Sequence, residues 1–227
     1  MANILELRNI NKIYGEKIKT QVLFDINLSF EESTFNSIIG ASGSGKSTLM
    51  NIIGTLDRAT SGEVFVDGRN ISNMNKNQLA TLRNETIGFI FQFHYLLPEF
   101  TVLENILIPY RIKHNKVTKE ALNRANDLIE IVGLTKVKNN KATDISGGQQ
   151  QRAAIARSLI NSPRIILGDE PTGNLDSETT ETVYNLLKEI NREFKSTFIV
   201  ITHDKRIAEK ADRIIEIKDG RNHATNS

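Results

Sequence analysis

The 227-residue chain contains no cysteine, which excludes a disulfide scaffold and every thiolate zinc site. No apolar run approaches the ~20 residues needed to cross a bilayer, so membrane contact has to come through a partner. The opening segment, Met1 to Leu7, has no basic stretch followed by an apolar one, and no signal peptide is expected. Charge of one sign is missing too: 29 basic residues face 27 acidic ones, net +2, with no dense Lys/Arg cluster. A nucleic-acid partner is therefore not expected. The chain also lacks an internal repeat and a low-complexity linker. Its 39% hydrophobic residues suffice for one substantial core, and a soluble intracellular protein is expected.

Gly40-Ala41-Ser42-Gly43-Ser44-Gly45-Lys46-Ser47, followed by Thr48 and Leu49, fits G-x-x-x-x-G-K-[ST]. Ile38 and Ile39 before it read as a buried strand, and Leu49, Met50, Ile52 and Ile53 as one side of the following helix. Between them Gly43 and Gly45 let the backbone curl, so that its N–H groups point inward at phosphate oxygens. The helix N-terminus adds partial positive charge to the same pocket. In this arrangement Lys46 reaches the β- and γ-phosphates of a nucleoside triphosphate, and the Ser47 hydroxyl is a Mg²⁺ ligand.

Alternation of apolar and polar residues over Ile4 to Ile10 and over Gln21 to Phe30 predicts two strands, with a third at Glu63 to Asp67. Together they suggest a small antiparallel sheet. Asn11-Lys12-Ile13-Tyr14-Gly15 is placed between the first two strands. Tyr14 there is an ordinary strand-end residue, or, beside a P-loop, a ring for adenine to stack on. Lys76 to Arg83 reads as helix and Ile87 to Phe91 as a strand. From about Gln92 to Asn161 the pattern turns mostly helical, opening on an aromatic, Pro-punctuated stretch, Phe93 to Pro109. The stripe Ala121, Leu122, Ala125, Leu128, Ile129 and Val132 ends at Gly133. Strands at Arg164 to Leu167, Thr197 to Ile201 and Arg213 to Ile217, with a helix over Val183 to Phe194, then resume an α/β pattern. That alternation implies a parallel sheet with helices on both faces. Gly220 to Ser227 is expected to be a polar, frayed tail.

Ile165-Ile166-Leu167-Gly168-Asp169-Glu170 ends a buried strand in two carboxylates. Adjacent acids there can simply begin a loop. Beside a P-loop the placement is more pointed, because ligands of open α/β sheets sit at the carboxyl ends of strands. Asp169 is then a Mg²⁺ ligand, and Glu170 the group that polarises the attacking water. Ser146-Gly147-Gly148-Gln149 opens a second helix, with free backbone donors and a serine hydroxyl, either an ordinary helix start or a second anion site. One P-loop already covers the nucleotide from one side, so a second phosphate site makes most sense across a dimer. His94, His114 and His223 lie in polar or loop contexts whose spacing suggests no metal site.

Over essentially its whole length the sequence resembles the nucleotide-binding subunits of ATP-binding cassette (ABC) transporters. The resemblance rests on seven features in order: Tyr14, Gly40 to Ser47, Gln92, Ile145 to Gln149, Asp169-Glu170, Asn174-Leu175-Asp176 and His203. It implies a RecA-like P-loop NTPase of α/β class: a parallel-sheet core with an antiparallel β subdomain (1–91 and 162–220), a helical insertion (92–161) and a tail (221–227). It further implies that Tyr14 stacks on adenine and that Gln92 touches Mg²⁺ or the attacking water. Ser146, Gly148 and Gln149 bind the γ-phosphate held by a second copy, Asp176 lies in the loop crossing that interface, and His203 contacts the γ-phosphate and orients Glu170. Ile145 stands where Leu is usual in that family and Gly168 where Ala is more frequent; neither is a catalytic group.

Phe91 to Pro98, Ser146 to Arg152 and Pro171 to Asp176 look most like the lipoprotein-releasing, macrolide-exporting and cell-division cassettes. The implied protein is an ATPase that binds ATP and Mg²⁺, dimerises with its twin and drives integral membrane permease subunits from the cytoplasmic side of the membrane. With the chain ending at Ser227, the permease is expected to be a separate polypeptide. Phe93 to Phe100 is expected to border the groove for one of its helices. The rival readings are a regulator that gates a membrane partner without transport, and a soluble ABC protein acting on ribosomes or DNA.

Overall fold

The structure is a computed structural model that describes residues 2–224. Strands β1 (Asn3–Tyr14) and β2 (Thr20–Glu31) pair antiparallel, Leu7 opposite Leu28 and Ile10 opposite Ile26. Beyond them β3 (Phe35–Ile39) leads into α1 (Lys46–Ile53). Next, β4 (Ser61–Val66) joins the free edge of β1, and β5 (Arg69–Asn70) completes a four-stranded antiparallel sheet, β2-β1-β4-β5. The first strand is longer than the alternation predicts. Residues 11–14, expected between two strands, belong to β1 and pair with residues of β2 as far as Tyr14 opposite Thr20. The run survives because irregularities absorb the broken alternation: Asn9 and Asp25 take positive φ (51° and 48°), which Asn and Asp tolerate best among non-glycines.

The chain continues through α2 (Lys76–Thr86), β6 (Ile87–Phe91), α3 (Val102–Lys113), α4 (Lys119–Ile131), two 3-10 turns (Thr135–Val137 and Ala142–Asp144) and α5 (Gly147–Leu159). Helix α3 begins inside the region whose prolines obscured it. Thr101 and Glu104 form a capping box that starts it, and Pro109 is accommodated within it. Then come β7 (Ile165–Asp169), α6 (Ser177–Phe194), β8 (Thr197–Ile201), α7 (Lys205–Ala208), β9 (Arg213–Lys218) and β10 (Arg221–Ala224). The second sheet runs β10-β9-β3-β8-β7-β6, parallel except for β10.

Helices and the other sheet cover this sheet, so its inner strands read as continuous apolar runs. Alternate residues supply two cores. Ile38, Leu167, Ile199 and Ile201 pack with α1 and the antiparallel sheet. Phe35, Ile166, Phe198 and Val200 pack with α6 and the helices between β6 and β7. The expected frayed tail needs correcting: Arg221–Ala224 is an edge strand paired with β9, while residues 225–227 lie outside the described residues. Asp219 and Gly220, at φ 49° and 73°, make the left-handed two-residue turn that joins the pair.

Candidate functional site

The parallel sheet presents the carboxyl ends of β3, β7 and β8 at one edge, where the sequence motifs fall. After Ile39 the chain turns through glycines with φ of 76° (Gly43) and 104° (Gly45), and Gly45 is the N-cap of α1. A glycine cap has no side chain to take up the first-turn amides, and that turn carries no acid, so its N–H groups are left for an outside anion. Gly40 has no room for a side chain: a Cβ there would lie 2.1 Å from the Ile217 carbonyl oxygen. Lys46 folds over the loop, its Nζ donating to the carbonyls of Gly40 (2.9 Å) and Ala41 (2.8 Å). Beneath it the buried Ser44 Oγ has no hydrogen-bond partner.

Opposite the loop, Asp169 ends β7 and Glu170 follows at a left-handed φ of 46°. The Glu170 N–H donates to the carbonyl of Ile201 on β8 (3.0 Å), and its own carbonyl accepts from Gly173 N (3.0 Å). Its Oε2 sits 2.9 Å from His203 Nδ1. A carboxylate only accepts, so Nδ1 is the donor in this bond. Burial and the neighbouring Glu170 raise the Asp169 carboxyl above its ordinary range, against the lowering effect of Lys46. Residues 42–48, Gly40, Glu170 and His203 line one cleft of about 460 Å³. Gln92 stands beside it: its Nε2 donates to Asn174 Oδ1 (3.0 Å), and Asn174 Nδ2 returns a bond to the Gln92 carbonyl (3.3 Å). A Cβ on Gly173 would lie 2.8 Å from Gln92 Nε2 and 3.2 Å from Glu170 Oε2, so only a glycine separates the two side chains.

Tyr14 ends β1, and its hydroxyl donates to Asp57 (2.7 Å). The helix-opening serine forms a second cluster. Ser146 and Gln149 make a capping box on α5, the serine Oγ accepting from Gln149 N (3.3 Å) and Gln149 Oε1 from Ser146 N (2.9 Å). Nothing crowds Gly147, while a Cβ on Gly148 would meet Thr179 Cγ2 at 2.8 Å. Thr179 is also the partner of Asp176, which caps α6 and accepts from Thr179 N (2.9 Å) and Oγ1 (2.8 Å). Those bonds hold the Asp176 carboxyl below its ordinary range. Asp176 and residues 146–149 therefore share one patch, and none of them lines the 460 Å³ cleft.

One side chain escaped the sequence reading. Gln151 is fully buried: its Oε1 meets His94 Nδ1 at 2.5 Å and its Nε2 donates to the Pro171 carbonyl at 2.5 Å. Arg157 adds bonds to the carbonyls of His94 and Tyr95. The loop after Gln92 is thus tied through α5 to the chain just past Glu170. The signal was its spacing, for Gln151 lies one turn before Ile155 on the apolar side of α5.

A glycine-lined phosphate cradle and two carboxylates, together at the carboxyl edge of a parallel sheet, define a P-loop NTPase. The ABC transporter family model matches residues 23–173. The chain is 44% identical to the lipoprotein-releasing system ATP-binding protein LolD 1 of Rhodopseudomonas palustris, over 97% of this chain and 99% of that one. It is 47% identical to LolD 1 of Chlorobium chlorochromatii (96% and 89%). Its fold superposes with a TM-score of 0.87 on the ATP-binding cassette MJ0796, solved as a dimer in a post-hydrolysis state bound to ADP and Pi (40% identity; 98% and 99% covered). The chain belongs to the ABC transporter family and is an ATP-binding ATPase subunit of it. The glycine replacing the usual alanine at 168 is a small packing change, since an added Cβ would stand 3.3 Å from Val200 Cγ2.

Proposed function

We propose that this chain is the ATPase of a lipoprotein-releasing type of transporter, acting as a homodimer at the cytoplasmic side of a membrane and driving a separate permease. One observation carries the dimer: the P-loop cleft and the Ser146 patch are apart on a single chain. In a head-to-tail pair, each triphosphate on a P-loop meets the other copy's Ser146, Gly147, Gly148 and Gln149. Asp176, beside that patch, then lies at the seam. Residues 1–91 and 162–220 act as the nucleotide-holding core, and 92–161 as a helical unit that brings the patch to it.

Within each pocket Tyr14 takes the adenine, and the amides from Gly40 to Thr48, with Lys46, take the phosphates. Lys46 is pre-placed, since its two backbone carbonyl partners are weaker acceptors than a phosphate. Glu170, fixed by His203, accepts a proton from the attacking water, and His203, which lines the same cleft as the P-loop, contacts the terminal phosphate. The donors available to Mg²⁺ are hard oxygens (Ser47, Asp169 and the Gln92 amide), which suits that ion. Among the described residues no group of three or more His, Cys, Asp or Glu could hold a metal unaided. A cation there therefore depends on phosphate oxygens and water, and when bound it neutralises charge developing on the phosphates. A cation beside Asp169 would favour the charged form of that carboxyl, against the burial and the Glu170 charge that raise it.

No helix among the described residues is long and apolar enough to cross a membrane. The proposed link to the permease is apolar and lies on both sides of the Gln92 loop. Phe93 and Tyr95 are 63% and 65% exposed beside one cleft. Phe91, Ile108 and Ile112 line a second, of about 430 Å³, between α2, β6, α3 and α5. Co-purification from native membranes tests this: an integral membrane partner, lost in a Tyr95→Glu, Ile112→Glu variant, supports the reading. Sedimentation with ribosomes instead would overturn it.

A further inference from the structure

Tyr14 is held more firmly than a stacking ring requires. Its hydroxyl donates to Asp57 Oδ2 at 2.7 Å. Asp57 Oδ1 accepts from Lys12 Nζ at 2.7 Å, and that ammonium also donates to the Arg58 carbonyl at 2.7 Å. Lys12 is 9% exposed, a rare degree of burial for a lysine, and its Nζ lies 4.5 Å from the centroid of the Tyr14 ring. Burial alone would raise the Asp57 carboxyl. The bonds from Lys12, Tyr14 and the Arg58 N–H outweigh it and hold the carboxyl below its ordinary range.

The connections of Asp57 give this cluster a use. Its N–H donates to the carbonyl of Asn51 in the last turn of α1, the helix whose first turn is the phosphate cradle. The ring at the end of β1 is thus fastened, through Asp57, to the last turn of the helix that holds the phosphates. Lys12 covers the ring's inner face and leaves the outer one, with Tyr14 40% exposed, to a base. An ammonium on one face of an aromatic ring draws electron density toward itself. The other face then repels the π cloud of a purine less.

We propose that Lys12 and Asp57 are positioning residues for nucleotide binding: a buried clamp that sets the Tyr14 ring at a fixed distance and tilt from the phosphate cradle. This rests on the reading that Tyr14 stacks on adenine. The gain is entropic, because the ring is ordered before the base arrives. The clamp acts on the base alone and leaves the cradle unaffected.

Equilibrium binding of ATP and of inorganic tripolyphosphate, which has no base, separates the parts. Tyr14→Ala tests the stacking itself; ATP affinity that stays level with wild type removes the reading beneath the proposal. Tyr14→Phe keeps the ring and the Lys12–Asp57 pair but cuts the anchor. It is expected to weaken ATP about fivefold, or about 1 kcal/mol, the net worth of one hydrogen bond, and to leave tripolyphosphate within about twofold. Asp57→Asn should do the same, and adding it to Tyr14→Phe should cost little more than either change alone. If Tyr14→Phe binds ATP as wild type does while Tyr14→Ala does not, the clamp is refuted and the stacking stands. Parallel loss of both ligands also refutes it, because the damage then lies in the cradle. Should Asp57→Asn fold poorly, Tyr14→Phe still decides the matter.

Discussion

Glu170 is constrained from three directions: a left-handed backbone, an amide bonded to β8 and a carboxylate bonded to His203. Such a residue is placed for chemistry more than for binding. Glu170→Gln is expected to bind ATP as wild type does while turnover falls about 10²-fold or more, the contribution typical of a general base; a phosphate-release assay beside a binding titration checks both. Lys46→Ala should lose ATP affinity, and undiminished binding would contradict the P-loop assignment. Asp169 supplies a pH test. Its folded carboxyl is raised, so wild type gains stability in acid and loses it as pH rises through the folded value. Asp169→Asn should therefore melt at a higher Tm than wild type near pH 7 without nucleotide. The advantage should vanish below about pH 4, where an ordinary carboxyl is protonated in both states. An equal or lower Tm at pH 7 would mean the site does not strain this group.

At the scale of elements, capping organises the site. Ser146 and Gln149 satisfy each other, so the patch proposed to meet a phosphate is a stable helix start without one. Ser146→Ala should cost about 1 kcal/mol of stability by denaturant titration. Gln151→Leu keeps the volume but strands a histidine nitrogen and a carbonyl, and should cost about 3 kcal/mol. That the motifs were so legible follows from what phosphate demands: a fixed glycine spacing, a lysine and strand-end acids cannot be rearranged. Most strands of both sheets were equally open, because their alternation or apolar runs match their burial, although β1 runs on through residues 11–14 and the short β5 left no pattern. The strand β10 was hidden by its polarity, although Asp219-Gly220 is a strong hairpin signal. Helix α3 was hidden by Pro109, with the Thr101–Glu104 box as the overlooked clue. Residues whose value lies in contacts remote along the chain, Lys12 with Asp57 or Gln151 with His94 and Pro171, leave no local pattern. Only the fold brings them together.

Over the whole molecule, a nearly neutral chain carries the P-loop cleft and a separate Ser146 patch, with a cleft on each side of the Gln92 loop. On the proposed dimer, ATP is a ligand with greater affinity for the closed pair than for the open one, and hydrolysis removes that preference. Ser146→Arg should leave ATP binding by one copy intact while abolishing closure, seen as normal nucleotide affinity with no dimer and little turnover. Normal hydrolysis in that variant would end the shared-pocket idea. The most direct test is the molar mass of Glu170→Gln by light scattering across a concentration series, with and without ATP. A pocket shared between two copies requires a monomer that becomes a dimer only when ATP is added. A sample saturated with ATP that stays monomeric at every concentration would contradict it.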